Sequence, residues 1–206
     1  MEKYTALLVD IRNSRGYAAA SRYEVQSYMR ACMGCLNDIF SSSLACEMMF
    51  SAGDEIQGLF RFPGAAYLYL RLLRLAMAPV GLRAGIGVGG WETVMTGGVS
   101  TEQDGTAYHR AREAIDTVHE EKDRGILLLS DQKRDVALNA CLHASEKLVG
   151  NCTHNQKMLM LLTEILYPLV QGKAAPACAI GSCCNLCGIL REPSLWKNPQ
   201  RAERPC

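Results

Sequence analysis

A chain of 206 residues with 49% hydrophobic and 21% charged residues has the balance of a globular protein able to bury a sizeable core. Its net charge of +1 supplies no bulk attraction to nucleic acid or to an anionic membrane. The ten cysteines follow no apolar leader, so they are expected to be reduced, as in a cytoplasmic protein, rather than paired in disulfides.

Tyr4 to Ile11 is an apolar run without alternation, the pattern of a strand covered on both faces. Ser21-Arg22-Tyr23-Glu24 has the spacing of a capping box and predicts a helix with the apolar face Val25, Met29, Cys32, Leu36 and Ile39. Glu47 to Ser51 and Glu55 to Phe62 predict two strands, joined as a hairpin through Ala52-Gly53-Asp54. Pro63-Gly64 opens a second helix, Ala65 to Met77, and Pro79-Val80-Gly81 ends it.

Leu82 to Gly89 predicts another strand. Leu82, Ala84, Ile86 and Val88 share one face, while Gly85, Gly87 and Gly89 leave the other bare for a backbone, a helix or a ligand to approach. The order to this point is β-α-β-β-α-β, which predicts an α+β fold with a ferredoxin-like core. After the Gly-rich connection Trp91 to Gly98, a helix opens near Asp104-Gly105 with the stripe Ala107, Ala111, Ala114, Ile115 and Val118. A buried strand follows at Ile126 to Leu129, and Ser130 or Asp131 is expected to cap a helix running toward Leu148. Thr153 is expected to cap a last helix reaching about Val170. Thr163 and Glu164 interrupt its apolar stretch, which also falls short of the ~20 residues of a membrane span. The expected organisation is a domain over residues 1–150, a helix over 151–172, and a Cys- and Pro-rich tail over 173–206 without packed structure.

Asp10 is predicted at the end of the first strand and Asp54 at the hairpin tip. Alone, each is the ordinary aspartate of a turn. Together, in this topology, they can converge as the carboxylates that hold Mg²⁺ or Mn²⁺, with waters and substrate phosphates completing the coordination. The carbonyl of Ile11 is a further candidate ligand, and the backbone amides of Arg12 to Gly16, with Asn13 and Ser14 among them, are candidates to cradle phosphates. Arg83 and Arg112 are the candidate phosphate-binding side chains, Arg110 is expected on a solvated face, and His109 at the surface. Tyr108 is a candidate to stack on a base, with a place at the rim of the core as the alternative. Cys32 and Cys35 form a C-x-x-C inside a helix rather than at its N-terminus after a strand, so they are read as core. Zinc is not favoured, because the cysteines after Cys178 offer no regular second pair of ligands.

Met48 to Arg61, Arg83 to Gly89 and Asp104 to Ala114 together resemble the SatD family of small bacterial proteins, over roughly residues 4 to 150. They also resemble, more distantly, the catalytic core shared by class III nucleotide cyclases and GGDEF diguanylate cyclases. In those enzymes a first-strand Asp and a hairpin Asp bind metal, and Asp10 and Asp54 stand at the matching positions. Ala52-Gly53-Asp54-Glu55-Ile56 stands where GGDEF domains carry their signature. Arg112 matches the Arg that stabilises the transferring phosphate in class III cyclases, whereas Tyr108 occupies the position of their ribose-orienting Asn.

The resemblance implies a nucleoside triphosphate as ligand, a homodimer with the site at its interface, and cyclising or condensing chemistry with Asp10, Asp54 and Arg112 as catalytic residues. Two other functions are compatible with the same residues: a catalytically silent nucleotide sensor, and a DNA-binding regulator whose helix-turn-helix would begin at Asn155 to Val170. Nothing after Gly172 resembles a recognition helix.

Overall fold

The computed structural model describes residues 2–93, 103–121 and 123–170. The strands are β1 (Tyr4–Ile11), β2 (Leu44–Ala52), β3 (Glu55–Phe60), β4 (Leu82–Gly89), β5 (Glu92–Thr93), β6 (Gln103–Asp104) and β7 (Ile126–Leu129). The helices are α1 (Ala19–Phe40), α2 (Pro63–Met77), α3 (Thr106–Glu120), α4 (Asp135–Gly150) and α5 (His154–Val170). Five strands form one sheet in the order β2-β3-β1-β4-β7, and β5 and β6 make a separate two-stranded ribbon. β1 runs antiparallel to both β3 and β4, while β7 is parallel to β4. The fold is α+β with the expected βαββαβ order at its core.

Alternation along the central strands sorts side chains into two cores. Leu7, Val9 and Ile11 of β1 meet Ile56, Phe60, Ala84 and Ile86 on the face covered by α1 and α2. Ala6 and Leu8 point the other way and pack with Leu59, Ala107, Ala111 and Ile115 under α3. This explains the unalternating apolar run of β1, since both of its faces are roofed by helices. The bare glycine face of β4 lies under α3. A Cβ at Gly85 would stand 2.2 Å from the Ala111 carbonyl oxygen, and one at Gly87 only 2.1 Å from that of Ala107. Of the three partners left open by the sequence, a helix backbone is the one that occupies this face.

Several boundaries differ from the sequence expectation, and β2 begins at Leu44, three residues before the expected Glu47. α1 begins at Ala19, and no side chain caps its first turn, so the Ser21 capping box is not used. α4 begins at Asp135 rather than after Ser130 or Asp131. The Asp135 carboxylate instead accepts hydrogen bonds from the Ser130 amide (2.6 Å) and hydroxyl (2.6 Å), holding the turn that precedes the helix. β3 stops at Phe60, two residues before the expected Phe62, because the extended Phe62 serves as the N-cap of α2.

At the start of α5 the expected cap is present. The Thr153 hydroxyl accepts from the Gln156 amide (3.3 Å) while Gln156 Oε1 accepts from the Thr153 amide (2.7 Å), the reciprocal pattern of a capping box. α5 is seated on α2, where Leu161 and Ile165 join the main core and Glu164 pairs with Arg71 at 2.7 Å. Asn139 of α4 bonds both the amide and the carbonyl of Leu128 at 2.8 Å, closing the outer edge of β7 with side-chain groups.

Cys32 and Cys35 are unpaired thiols in the core, and burial pushes the Cys32 thiol up to about 12, which keeps it protonated and inert. Among the described residues no helix is long and apolar enough to cross a membrane. The connection over residues 94–102 and the Cys-rich segment, with the zinc question attached to it, lie outside the described residues.

Candidate functional site

Strand register brings the sequence-predicted carboxylates together. Val9 pairs with Ile56 across β1 and β3, which sets the β2–β3 turn beside Asp10. Gly53 makes that turn at φ +60, a left-handed conformation that glycine adopts without a Cβ penalty. The side-chain amide of Gln26 on α1 holds it by donating to the Gly53 carbonyl at 3.3 Å. The carboxyls of Asp10 and Asp54 come within hydrogen-bonding reach of one another. Asp10 also pairs in register with Arg83 of β4, so the two share the sheet face that α3 covers.

These residues line a cleft of about 750 Å³ together with Ile11, Asn13, Ser14, Glu55, Arg112 and His119. The Ile11 side chain is buried in the α1–α2 core, so this residue faces the cleft with its backbone. Asn13 takes a left-handed conformation, φ 56 and ψ 28, at the head of a short 3-10 turn over Ser14–Gly16. Within the proposed phosphate cradle, the Arg12 amide already donates to the Gly81 carbonyl (2.8 Å) and the Gly16 amide to that of Asn13 (2.9 Å). The cradle therefore narrows to the amides of Asn13, Ser14 and Arg15.

The electrostatics of the cleft are set by its two aspartates. Burial, together with the hydrogen bond and charge of Asp54, pushes the Asp10 carboxyl up to about 7, against the opposing pull of Arg83. Arg83 stands 4.0 Å from Asp10 Oδ2. His119 Nε2 lies 3.0 Å from the same oxygen, while burial and then the Arg83 charge hold the imidazole below its ordinary pKa. That combination describes a neutral imidazole donating its Nε2–H to Asp10.

A divalent cation fits this site on two observations. Asp54 Oδ2 is buried with no hydrogen-bond partner, an orphaned acceptor that costs free energy unless something binds it. Two carboxyls in contact also resist double ionisation, a repulsion that a cation would replace with attraction. Among the described residues no three His, Cys, Asp or Glu side chains are placed to hold a metal. The side-chain donors at hand, Asp10 and Asp54, are hard oxygens of the kind a divalent cation takes together with waters.

Three sequence-predicted residues are engaged differently. Arg112 lines the cleft, but its guanidinium is engaged in a bidentate pair with Glu55, at 2.5 and 2.7 Å. That hydrogen-bonded pair raises the Arg112 pKa further above its ordinary value. Tyr108 does not line the cleft: it is buried with Ala6, Leu8, Cys46 and Leu59 under α3, the core-rim alternative for this residue. Arg110 is not a free solvated side chain either, since it donates to the Val88 carbonyl at 2.5 Å. His109 is exposed.

His119 is the residue the sequence reading missed. Its signal was present, because Arg112, Asp116 and His119 recur at three- and four-residue spacing along one flank of α3.

The family model described as the SatD family matches residues 4–170. No curated protein matches the chain closely enough to indicate kinship. Solved structures with a partial likeness include a bacterial light-regulated adenylyl cyclase, at 12% identity over 61% of this chain and 74% of that one, with a TM-score of 0.40. Another is the non-canonical dimeric guanylyl cyclase domain of the RhoGC fusion protein from the aquatic fungus Blastocladiella emersonii, at 12% identity over 55% of this chain and 85% of that one, with a TM-score of 0.31.

Proposed function

The chain belongs to the SatD family, and we propose that it binds a nucleoside triphosphate with Mg²⁺ in the cleft between β1, the β2–β3 turn and α3. The observation that carries this reading is the contact of two carboxyls, one raised to about 7 and the other with an oxygen left without a partner. Asp10, Asp54 and the backbone of Ile11 would hold the cation, whose chemistry when bound is to neutralise phosphate charge and polarise the attacked phosphorus. The amides of Asn13, Ser14 and Arg15 donate to the anionic phosphate oxygens at the head of the 3-10 turn. Arg83 supplies a positive charge on the same sheet face. His119 fixes the rotamer of Asp10 and, as a neutral donor, adds no competing charge.

The chemistry open to this site is nucleotidyl transfer: a ribose hydroxyl gives its proton to solvent and attacks the α-phosphorus, the bond from that phosphorus to the oxygen bridging to the β-phosphate breaks, and pyrophosphate leaves. Arg112 is the candidate to stabilise that transfer, and it must first leave Glu55. This pairing, with Tyr108 turned away from the cleft, favours a second reading in which the chain senses a nucleotide without consuming it.

The two readings separate on one set of measurements. Purified protein is incubated with each NTP and Mg²⁺ or Mn²⁺ and assayed for pyrophosphate, cyclic product and melting temperature. Binding raises the melting temperature in both cases, and only the enzyme consumes the triphosphate. Turnover that persists in Asp54→Asn would sink the mechanism, and a melting temperature indifferent to every NTP with metal would sink both readings. The homodimer and the cytoplasmic location belong to the same proposal, and light scattering with and without nucleotide tests the dimer.

A further inference from the structure

A second cavity, of about 320 Å³, opens between α2, α4, α5 and the turn before β4. It shares no lining residue with the carboxylate cleft, although the loop after β1 serves both. Asp10, Ile11 and Asn13 line the cleft, whereas Arg12 between them lines this second cavity.

Its cations outnumber its carboxylates. Arg74 pairs with Glu146 at 2.6 Å, Lys147 pairs with Asp123, and Arg71 pairs with Glu164 at its edge at 2.7 Å. Among the described residues, no carboxylate lies within 4.0 Å of Arg12 or Lys157; Arg12 donates to the Arg124 carbonyl at 2.7 Å and Lys157 to that of Gly150 at 3.5 Å.

Two guanidinium groups are moreover fixed side by side. Arg12 Nη2 bonds the carbonyl of Arg124 and Arg74 Nη2 that of the next residue, Gly125, at 2.6 Å. Like charges pressed together in this way are stable only if something compensates them, and Glu146 compensates one. Burial, then the neighbouring Arg12 charge, lowers the Arg74 pKa against the pull of Glu146. The Nε of each arginine is buried without an acceptor, so neither charge is fully compensated by the protein. The remaining wall is apolar, built from Leu70, Leu75, Pro79, Val80 and Val149.

We propose that this cavity binds a small organic anion, an oxyanion head group on an apolar body of one ring or a short chain. The head group lies between Arg12 and Arg74, the body against the leucine and valine wall, and Lys157 stands at the rim. The volume sits at the low end of the ~300–1,000 Å³ typical of ligand pockets. An apolar wall facing paired guanidinium groups selects against inorganic phosphate, which has no body to bury, and against neutral molecules, which have no charge to offer.

Phenyl phosphate, inorganic phosphate and benzyl alcohol, titrated into the full isotope-labelled chain and followed by amide chemical shifts, provide the test. Phenyl phosphate is expected to shift Gly125, Glu146, Val149 and Gly150 saturably, and to bind about tenfold more tightly than either control. Arg12→Gln and Lys157→Gln each weaken it by about tenfold, on the order of one charged hydrogen bond, and Val149→Trp, which fills the wall, abolishes it. Asp54→Asn leaves the affinity unchanged, so failure of the cleft reading and failure of this one are told apart. Absence of saturable shifts at those amides overturns the proposal. So does equal affinity for the alcohol, or an affinity unaltered in both charge variants while their spectra remain those of folded protein.

Discussion

Asp10→Asn is expected to stabilise the protein in the absence of divalent metal, although it removes a residue at the centre of the candidate site. Asp10 titrates at about 7 in the folded chain against an ordinary 3.8. The folded state therefore holds a proton that the unfolded state has released across that interval. The sign follows from linkage: stability falls as pH rises from about 4 to about 7, and the whole penalty is present above 7. The full interval corresponds to roughly 4 kcal/mol. Because the carboxyl opens on a solvated cleft and faces Arg83, screening reduces this to about 1–2 kcal/mol.

Asn keeps an oxygen for the His119 Nε2–H, so the substitution removes charge without orphaning the imidazole. Calorimetry in chelator at pH 8 should show the variant melting higher, by about 2–4 °C for each kcal/mol recovered. The gain should shrink toward pH 5 and nearly vanish at pH 4. Added Mg²⁺ should reverse the order at pH 8, because only the parent gains a ligand. A variant that melts lower than the parent at pH 8, or a gain independent of pH, would refute the account of two carboxyls in enforced contact.

Three further outcomes follow from particular contacts. Gly87→Ala places a Cβ 2.1 Å from the Ala107 carbonyl oxygen and 2.3 Å from the Ala111 amide nitrogen. Because both are backbone atoms, α3 must lift from the sheet, at a cost of about 3 kcal/mol or more, measurable as a lower urea midpoint with an unchanged m-value. Glu55→Gln loosens the pair that occupies Arg112. It should alter stability by less than about 1 kcal/mol, since the pair is exposed on the arginine side. Affinity for MgATP by calorimetric titration should nevertheless rise, and no change in affinity would deny Arg112 a phosphate-binding role. Thr153→Ala removes the capping box of α5 at a cost of about 1 kcal/mol. Amide exchange should accelerate in its first turn, while the β1 amides stay protected if that loss remains local.

Much of the architecture was legible in the chain because its signals are local. Tyr4–Ile11 and Leu82–Gly89 carry their boundaries in composition, and the glycine face of β4 announced a close neighbour without saying which. Where two local signals competed, the reading failed: Ser21 has the spacing of a cap, but α1 had already begun at Ala19. Asp54 stood out because a turn aspartate between two apolar runs is a pattern within ten residues.

His119 and the engagement of Arg112 were not legible in that way. Each depends on a partner more than fifty positions distant in sequence, Asp10 for the first and Glu55 for the second. Tyr108 shows the same limit from the other side. Its place in the helix was right, yet the rotation of α3 on the glycine face of β4 sends its ring into the core instead of the cleft.

Pattern and propensity, acting over a few residues, thus determined the strands of the main sheet, the helices and their βαββαβ order, and singled out Asp10 and Asp54. Tertiary structure alone decided that the two carboxyls meet, that His119 joins them, that Arg112 is held by Glu55, and that Arg12 turns away toward a second cavity beside Arg74. The physical reason is one of range. Hydrophobic periodicity is written along the chain, whereas the partner of a charge is selected by strand register and helix packing, which only the folded molecule contains.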